Sequence, residues 1–278
     1  MFYETPLIAF TILAQMAVGA HLIINTGQLM GSPASQLNKL RFAVLVVIGL
    51  GFIFSTMHLG SPLRAFNAYN RIGDSALSTE ILYGSGFAAI AGLLWLVSVL
   101  NWGGDVLERI LNAISIILGI VFMFAMANVY NMDTVPAWHS IHRVYEFWFT
   151  VLTLGTLFGY LLLCLADSAT EKQSRIIMCF GVSMICLNLA ATSFQLVHYT
   201  EISTAIHSGA AQVETLFTSV EVNLFAMVVA AVLWGFTELF LSSNTKKVAA
   251  LIVLLSLIIA EAYGRNVFYG MHFTAGLY

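Results

Sequence analysis

The sequence has few charged residues. Only 9% of its 278 residues are Asp, Glu, Lys or Arg, whereas a typical soluble domain carries about 25%. Hydrophobic residues make up 59%, and the mean hydropathy is +0.89. The net charge of −3 is too small to favour a nucleic-acid partner. These proportions predict a chain whose surface is covered mainly by lipid.

Cysteine is also scarce. The three cysteines, Cys164, Cys179 and Cys186, lie inside apolar runs and have neither a C-x-x-C pair nor metal-ligand spacing. We interpret them as small hydrophobic residues. The first ten residues contain no Lys, no Arg and no small-residue cleavage site. The first apolar run is therefore predicted to be a permanent helix and not a cleaved signal peptide.

Long apolar segments are what the sequence has in abundance. A membrane-spanning helix needs ~20 mostly apolar residues, and the segments that meet this requirement number eight. They are 6–28, 41–60, 79–100, 107–130, 140–166, 174–199, 215–241 and 247–268. The connections are short and contain turn residues such as Gly103-Gly104. We predict an all-α polytopic membrane protein, a single domain formed by a bundle of eight transmembrane helices.

The basic residues predict how this bundle is oriented. Seven fall at the turns after the odd-numbered helices: Lys39, Arg41, Arg109, Lys172, Arg175, Lys246 and Lys247. Four fall on the opposite side: Arg64, Arg71, Arg143 and Arg265. Cytoplasmic loops carry an excess of Lys and Arg, so both termini are predicted to lie on the extracytoplasmic side.

The stretch 57–82 is a long polar interruption between two spans. His58 closes the second predicted helix and Glu80 opens the third, so both are expected at the outer face. A histidine and a carboxylate beside Arg64 and Arg71 suit a site that takes protons from a bound hydroxylated ring. Two alternatives remain open: an interfacial histidine, and an acid favoured by the dipole of the first helical turn.

Two further helices carry polar residues at helical spacing. His21, Asn25 and Gln28 form a stripe on the first helix, which we interpret as interhelical hydrogen bonding, with a proton path as the alternative. Four residues of the sixth helix form a second stripe rising towards the outer end: Asn188, Thr192, Gln195 and Tyr199.

Four other residues have an interpretation that follows from their position in the predicted helices. Glu221 is expected to face the bundle interior, where an acid is a candidate for proton transfer. Tyr130 fits an interfacial aromatic belt. Arg143 and Glu146, three residues apart, fit a pair of opposite charges on one helix surface.

Three motifs carry a resemblance to a known family. The first is His58-Leu59-Gly60-Ser61-Pro62-Leu63-Arg64-Ala65-Phe66, continued by Asn70-Arg71 and Glu80-Ile81. The second is Val129-Tyr130 with Asp133-Thr134-Val135-Pro136, and the third is Gly264-Arg265 with Val267-Phe268-Tyr269-Gly270 and His272. Together they resemble the membrane-anchor subunit of dimethyl sulfoxide reductase, and the similarity spans the whole chain.

The resemblance implies a function that composition does not. Anchors of this family lie in the bacterial inner membrane, oxidise menaquinol in anaerobic respiration and bind no haem. The electrons pass to an iron–sulfur subunit and then to a molybdopterin catalytic subunit. By this resemblance His58 and Glu80 are the quinol-site histidine and acid. From position alone, Arg64, Arg71, Tyr130 and Arg265 are further candidates for quinol binding.

Two other classes of protein compete with this interpretation. A b-type cytochrome subunit is possible in principle, because His58 and His198 both lie near outer helix ends and could ligate a haem between them. A transporter would explain an intramembrane acid such as Glu221. The sequence lacks paired interrupted helices in two repeating halves, which disfavours the transporter.

Overall fold

The computed structural model describes residues 3–29, 34–57, 62–204 and 206–274, without the side chains of 27–29, 34–36 and 62–66. Long helices dominate this part of the chain: α1 (Thr5–Leu29), α2 (Ala34–Met57), α3 (Ala76–Leu100), α4 (Gly104–Val129), α5 (Ile141–Leu165), α6 (Glu171–Glu201), α7 (Phe217–Phe240) and α8 (Ser243–Gly270). All eight are long and apolar enough to cross a membrane. The predicted helical bundle is confirmed.

Several helices begin earlier than their apolar segments. α6 starts at Glu171 because the Thr170 side chain accepts a hydrogen bond from the Gln173 backbone, and the Gln173 side chain bonds back to Thr170. This reciprocal arrangement satisfies two free N–H groups of the first turn. α2 and α8 likewise begin seven and four residues before the apolar segments that we predicted at 41 and 247. Polar first turns therefore extend the helices beyond the apolar core.

Short elements connect or interrupt the spans. A 3₁₀ helix, Pro62–Arg71, leads into α3 and is tied to it by a hydrogen bond of 2.9 Å from the Tyr69 hydroxyl to Ser85 Oγ. A one-turn π-helix, Val151–Gly155, interrupts α5. A short helix, Gly209–Thr215, precedes α7.

α1 occupies the middle of the bundle. It packs against α2, α4, α5 and α8, while α3 pairs with α4, and α7 packs on α6 and α8. Successive spans run in opposite directions. The starts of α1, α3, α5 and α7 therefore lie at the same face as the ends of the other four helices, and we call this the terminal face. Apolar side chains such as Phe225, which is 72% exposed, cover the outside, as expected for contact with lipid.

A close contact between glycines fixes how α1 crosses α5. A Cβ atom on Gly19 would lie 2.7 Å from the Gly155 Cα and would also collide with the Val151 carbonyl oxygen. Small residues let membrane helices approach closely in this way. The π turn ends at Gly155, so the distorted part of α5 is the part that lies against α1.

Candidate functional site

Glu80 lies in the first turns of α3 yet is only 5% exposed. Ser75 caps this helix by accepting a hydrogen bond from the Ser78 backbone, which sets where α3 begins at the terminal face. The Glu80 carboxylate is close enough to the hydroxyls of Tyr130 and Tyr269 to interact electrostatically with both. An acid that was favoured only by the helix dipole would be exposed to solvent at the helix end. Glu80 is buried, so it belongs to the interior of the bundle.

The two tyrosines form a hydroxyl pair beside Glu80. Tyr130 follows the end of α4, Tyr269 lies at the end of α8, and their Oη atoms are 2.7 Å apart. Burial raises the pKa of Tyr130 above its ordinary value, and the neighbouring Tyr269 raises it further, so its hydroxyl stays protonated. Since Tyr130 is buried in the bundle, the interpretation as a membrane-interface belt is wrong for this residue.

Aromatic rings hold this pair in place. The Trp138 ring stacks on Phe268 with centroids 5.2 Å apart and ring planes 8° from parallel. Its Nε1 donates a hydrogen bond of 2.8 Å to the Phe268 carbonyl oxygen. Tyr130 meets both rings edge-on, with centroid distances of 5.3 Å. The tyrosine positions are therefore fixed by the segment after α4 and by α8 together.

A pocket at the terminal face reaches the tyrosine pair. It has a volume of about 360 Å³, and its lining includes Tyr3, Tyr130, Trp138, Tyr269 and His272. Pockets for small molecules typically measure about 300–1,000 Å³ and are largely aromatic and apolar with a few polar groups. This pocket therefore suits a flat aromatic ring that contacts the two tyrosines.

Arg265 on α8 is the buried cation of the site, with 2% of its surface exposed. Its Nη2 donates hydrogen bonds to Gln15 Oε1 at 3.1 Å and to Thr150 Oγ1 at 3.3 Å. Its Nη1 lies 3.4 Å from Glu146 Oε1, and its guanidinium stacks over the Phe147 ring at 3.9 Å. Arg265 also interacts electrostatically with Tyr130, which links the tyrosine pair to α1 and α5.

A second carboxylate, Glu261, lies one helical turn before Arg265. It accepts hydrogen bonds from three side chains: Thr150 at 2.8 Å, Thr153 at 3.1 Å and Asn188 at 3.2 Å. Glu146 accepts one of 2.7 Å from Gln195, which also lies 2.6 Å from the Tyr199 hydroxyl. A cavity of about 30 Å³ adjoins these groups, which is room for about two water molecules.

The polar stripe predicted on the sixth helix faces this cavity. Asn188, Thr192, Gln195 and Tyr199 all line it. Two residues of the stripe on the first helix, His21 and Asn25, make the expected interhelical hydrogen bonds at the opposite end of the bundle, and the Gln28 side chain lies outside the described residues. His21 is 2.8 Å from Ser115 on α4, and Arg41 on α2 donates to Asn25 at 3.2 Å.

The structure places the predicted site residues unevenly. It brings Glu80, Tyr130 and Arg265 to one buried region, whereas the Arg71 side chain is exposed at the end of the 3₁₀ helix. His58 and the Arg64 side chain lie outside the described residues. The structure therefore does not test haem ligation by His58 and His198. The centroid of the His198 ring lies 5.1 Å from that of the His142 ring.

Two further predictions are wrong. Glu221 is exposed because it lies on the side of α7 opposite to its buried face, which includes Ser219 and Asn223. Arg143 does not pair with Glu146. It donates instead to Asn131 Oδ1 at 2.7 Å and to the Trp138 carbonyl oxygen at 3.0 Å, and Glu146 turns to Arg265.

Sequence reasoning missed Glu261. Its spacing of four residues from Arg265 is also that of an ordinary ion pair on a helix surface, which made it inconspicuous. The signal that was available is its depth, because an acid well inside an apolar span is rare and is usually functional.

Eight candidate spans in the described part of the chain and a buried polar site at one face define it as an integral membrane protein with a candidate site for a small aromatic ligand. The family model described as "DMSO reductase anchor subunit (DmsC)" matches residues 1–271. The chain belongs to this family of membrane anchors.

Curated relatives agree with this assignment. The C subunit of the anaerobic dimethyl sulfoxide reductase of Escherichia coli K12 is 34% identical over 281 residues, covering 99% of this chain and 97% of the relative. The subunit of the same name from Haemophilus influenzae is 33% identical over 282 residues, with the same coverage. The E. coli anaerobic dimethyl sulfoxide reductase subunit YnfH is 35% identical over 290 residues, again covering 99% and 97%.

Proposed function

We propose that this chain anchors a dimethyl sulfoxide reductase-type complex in the bacterial inner membrane, oxidises menaquinol and passes the electrons to an iron–sulfur subunit. Membership of the anchor family supports the first part. The observation that carries the second part is the buried Glu80 carboxylate beside the Tyr130–Tyr269 hydroxyl pair. These are the kinds of groups that bind and deprotonate a hydroxylated ring.

Oxidation of one quinol releases two protons and two electrons, so the site needs two proton acceptors. His58 takes one proton, since an imidazole titrates near neutral pH. Glu80 takes the second or orients the ring through a hydrogen bond. The Tyr130–Tyr269 pair binds and positions a ring hydroxyl, because both phenols line the aromatic pocket at the terminal face.

Arg265 acts on the site electrostatically. Its guanidinium is buried and fixed by Gln15 and Thr150, so it stays in place while charge at the ring changes. A preorganised cation stabilises negative charge that develops as protons leave a bound ligand. Arg64 and Arg71 precede Glu80 in the same connection, where they assist binding of the ring or of a partner.

The electrons leave to a cluster held by a partner subunit. Iron–sulfur clusters commonly use four cysteines, and this chain has three, at positions spread over α5 and α6. That partner passes the electrons on to a molybdopterin subunit, where the terminal acceptor is reduced. The excess of Lys and Arg on the other side of the bundle supports an extracytoplasmic position for the terminal face, and hence for this partner.

Variants at His58 and Glu80 test the proposal. His58→Phe and Glu80→Gln should abolish or strongly slow reduction driven by menaquinol analogues in the assembled complex. Loss of a general base costs about 10²–10⁴-fold in rate. Loss of one neutral hydrogen bond of ~1 kcal/mol costs less than about tenfold, so a small effect at Glu80 assigns it to positioning. Dyes that reduce the partner subunits directly should still drive substrate reduction.

Glu221→Gln is the matched control. It removes the same charge at the same face, but the side chain is exposed, so quinol-driven activity should be unchanged. If His58→Phe and Glu80→Gln both oxidise quinol at the unmodified rate in assembled complexes, the quinol site lies elsewhere and the proposal is refuted.

A further inference from the structure

Two buried carboxylates share one cation in the region of α5 and α8. Arg265 forms an ion pair with Glu146 at 3.4 Å. Among the described residues, no Lys, Arg or His forms an ion pair with Glu261. Glu261 is 5% exposed and lies nine residues before the end of α8, which places it ~14 Å below the terminal face at 1.5 Å per residue.

In the part of the chain that the structure describes, the neighbouring helices place no second positive charge beside Glu261. α1 contributes Gln15, α6 contributes Asn188, Gln195 and Tyr199, and α7 contributes Asn223, all of them uncharged side chains. The charged groups that face it are Glu146 on α5 and Arg265 on α8. If both carboxylates were ionised, the cluster would carry a net negative charge inside the membrane, which low dielectric strongly disfavours. One bound proton removes that charge.

The hydrogen bonds around Glu261 accommodate either protonation state. An ionised carboxylate accepts the hydroxyl hydrogens of Thr150 and Thr153. Each threonine hydroxyl also has its own backbone acceptor within reach: the Glu146 carbonyl oxygen at 3.1 Å for Thr150, and the Phe149 carbonyl oxygen at 2.7 Å for Thr153. A hydroxyl has one hydrogen and two lone pairs. When Glu261 is protonated, Thr150 therefore turns its hydrogen to the backbone and accepts one from the acid.

We propose that Glu261 is a proton-binding site that holds a proton in the resting protein and exchanges it with water in the adjoining cavity. Glu261 and Glu146 both line that cavity, which has room for about two water molecules. Tyr199 lines it nearer to the terminal face. The threonine hydroxyls rotate in place as the proton leaves or returns, so exchange needs no movement of a helix.

Infrared spectroscopy of the complete complex in membranes tests this site directly. A protonated carboxylic acid has a carbonyl stretch that ionised glutamate and glutamine lack, and this band shifts when the proton is replaced by deuterium. The spectrum of the unmodified protein minus that of Glu261→Gln should show this band, with the intensity of one acid group, and D₂O should shift it. The test is independent of the proposed function, because no quinol is added.

Glu238 supplies the matched control. It is a buried glutamate near the opposite face that accepts a hydrogen bond of 2.7 Å from Tyr160, but Lys246 lies 3.1 Å from its carboxylate. Glu238→Gln should therefore remove no acid band. Glu146→Gln should remove the Glu261 band although Glu261 is still present, because Arg265 then has no other carboxylate to neutralise and Glu261 ionises.

Two results would overturn the inference. Absence of an acid band from the difference between the unmodified protein and Glu261→Gln would mean that Glu261 is ionised. A band that does not shift during prolonged exposure to D₂O would mean that the proton is sealed in and that Glu261 is only a structural hydrogen-bond donor.

Discussion

Arg265→Gln is the substitution from which the structure predicts the largest loss of stability. It removes the buried partner of Glu146 and leaves that carboxylate without a cation. It also removes the stacking on Phe147 and the hydrogen bonds to Gln15 and Thr150. Breaking a buried ion pair on one side typically costs about 3–5 kcal/mol, mostly because a charge is left uncompensated. We expect a loss of that size.

The double variant Arg265→Gln, Glu146→Gln separates charge from packing. It removes both charges, so the penalty for an uncompensated carboxylate disappears and about half or more of the lost stability should return. Contacting residues commonly show such coupling, of about 0.5–3 kcal/mol, in double-mutant cycles. The stability of Arg265→Lys should lie between that of Arg265→Gln and that of the unmodified protein. Lysine keeps the positive charge but lacks the planar guanidinium that donates several hydrogen bonds and stacks on an aromatic ring.

The assay is the free energy of unfolding, measured by titrating a denaturing detergent into the purified protein at several pH values. The loss caused by Arg265→Gln should be smaller at low pH, since protonation then neutralises Glu146, and should grow as the pH rises. If the two single losses simply add in the double variant, or if the loss is below about 1 kcal/mol, the ion pair does not have the role that its geometry indicates.

Two further predictions concern packing and topology. Gly155→Ala places a methyl group against Gly19 and should cost about 1–3 kcal/mol of stability by overpacking. Gly235→Ala is the control and should be neutral, because its added Cβ would meet nothing within 4 Å. Equal losses of stability in the two variants would contradict the close contact between α1 and α5. Reporter fusions after Tyr278 and near Ala34 should read as extracytoplasmic and cytoplasmic respectively, and a cytoplasmic signal at Tyr278 would invert the predicted orientation of the site.

Much of the fold could be predicted from sequence because membrane spans follow a simple compositional rule. Every span needs a long apolar segment, so all eight are visible in composition alone. The helix starts were less predictable, since a polar first turn held by a cap, as at Thr170, does not look like part of a span. The π turn at Val151–Gly155 has no distinct local composition. It lies where α5 packs against α1, and that contact is tertiary.

The candidate site was predictable only in part. Motif and position pointed to Glu80, Tyr130 and Arg265, which the structure brings together from α3, the residue after α4, and α8. Local spacing misled at Arg143 and Glu146, because each has a better partner on a different segment. Helical spacing indicates which residues share a face but not which neighbouring helix meets that face.

The central position of α1 has a consequence for how the protein is made. Its Gln15 obtains a partner from Arg265, 250 residues later, and the Tyr3 backbone N–H binds Asn266 Oδ1 at 2.7 Å, 263 residues later. At ribosomal rates of about 5–20 residues per second, α1 therefore waits about 10–50 s in the bilayer before α8 can complete its surroundings. A chain truncated before α8 would leave the side-chain oxygen of Gln15 without Arg265, although the side-chain nitrogen would still donate to the Phe147 carbonyl oxygen. Quality-control proteases could therefore distinguish a chain that lacks α8 by this unpaired polar atom in α1.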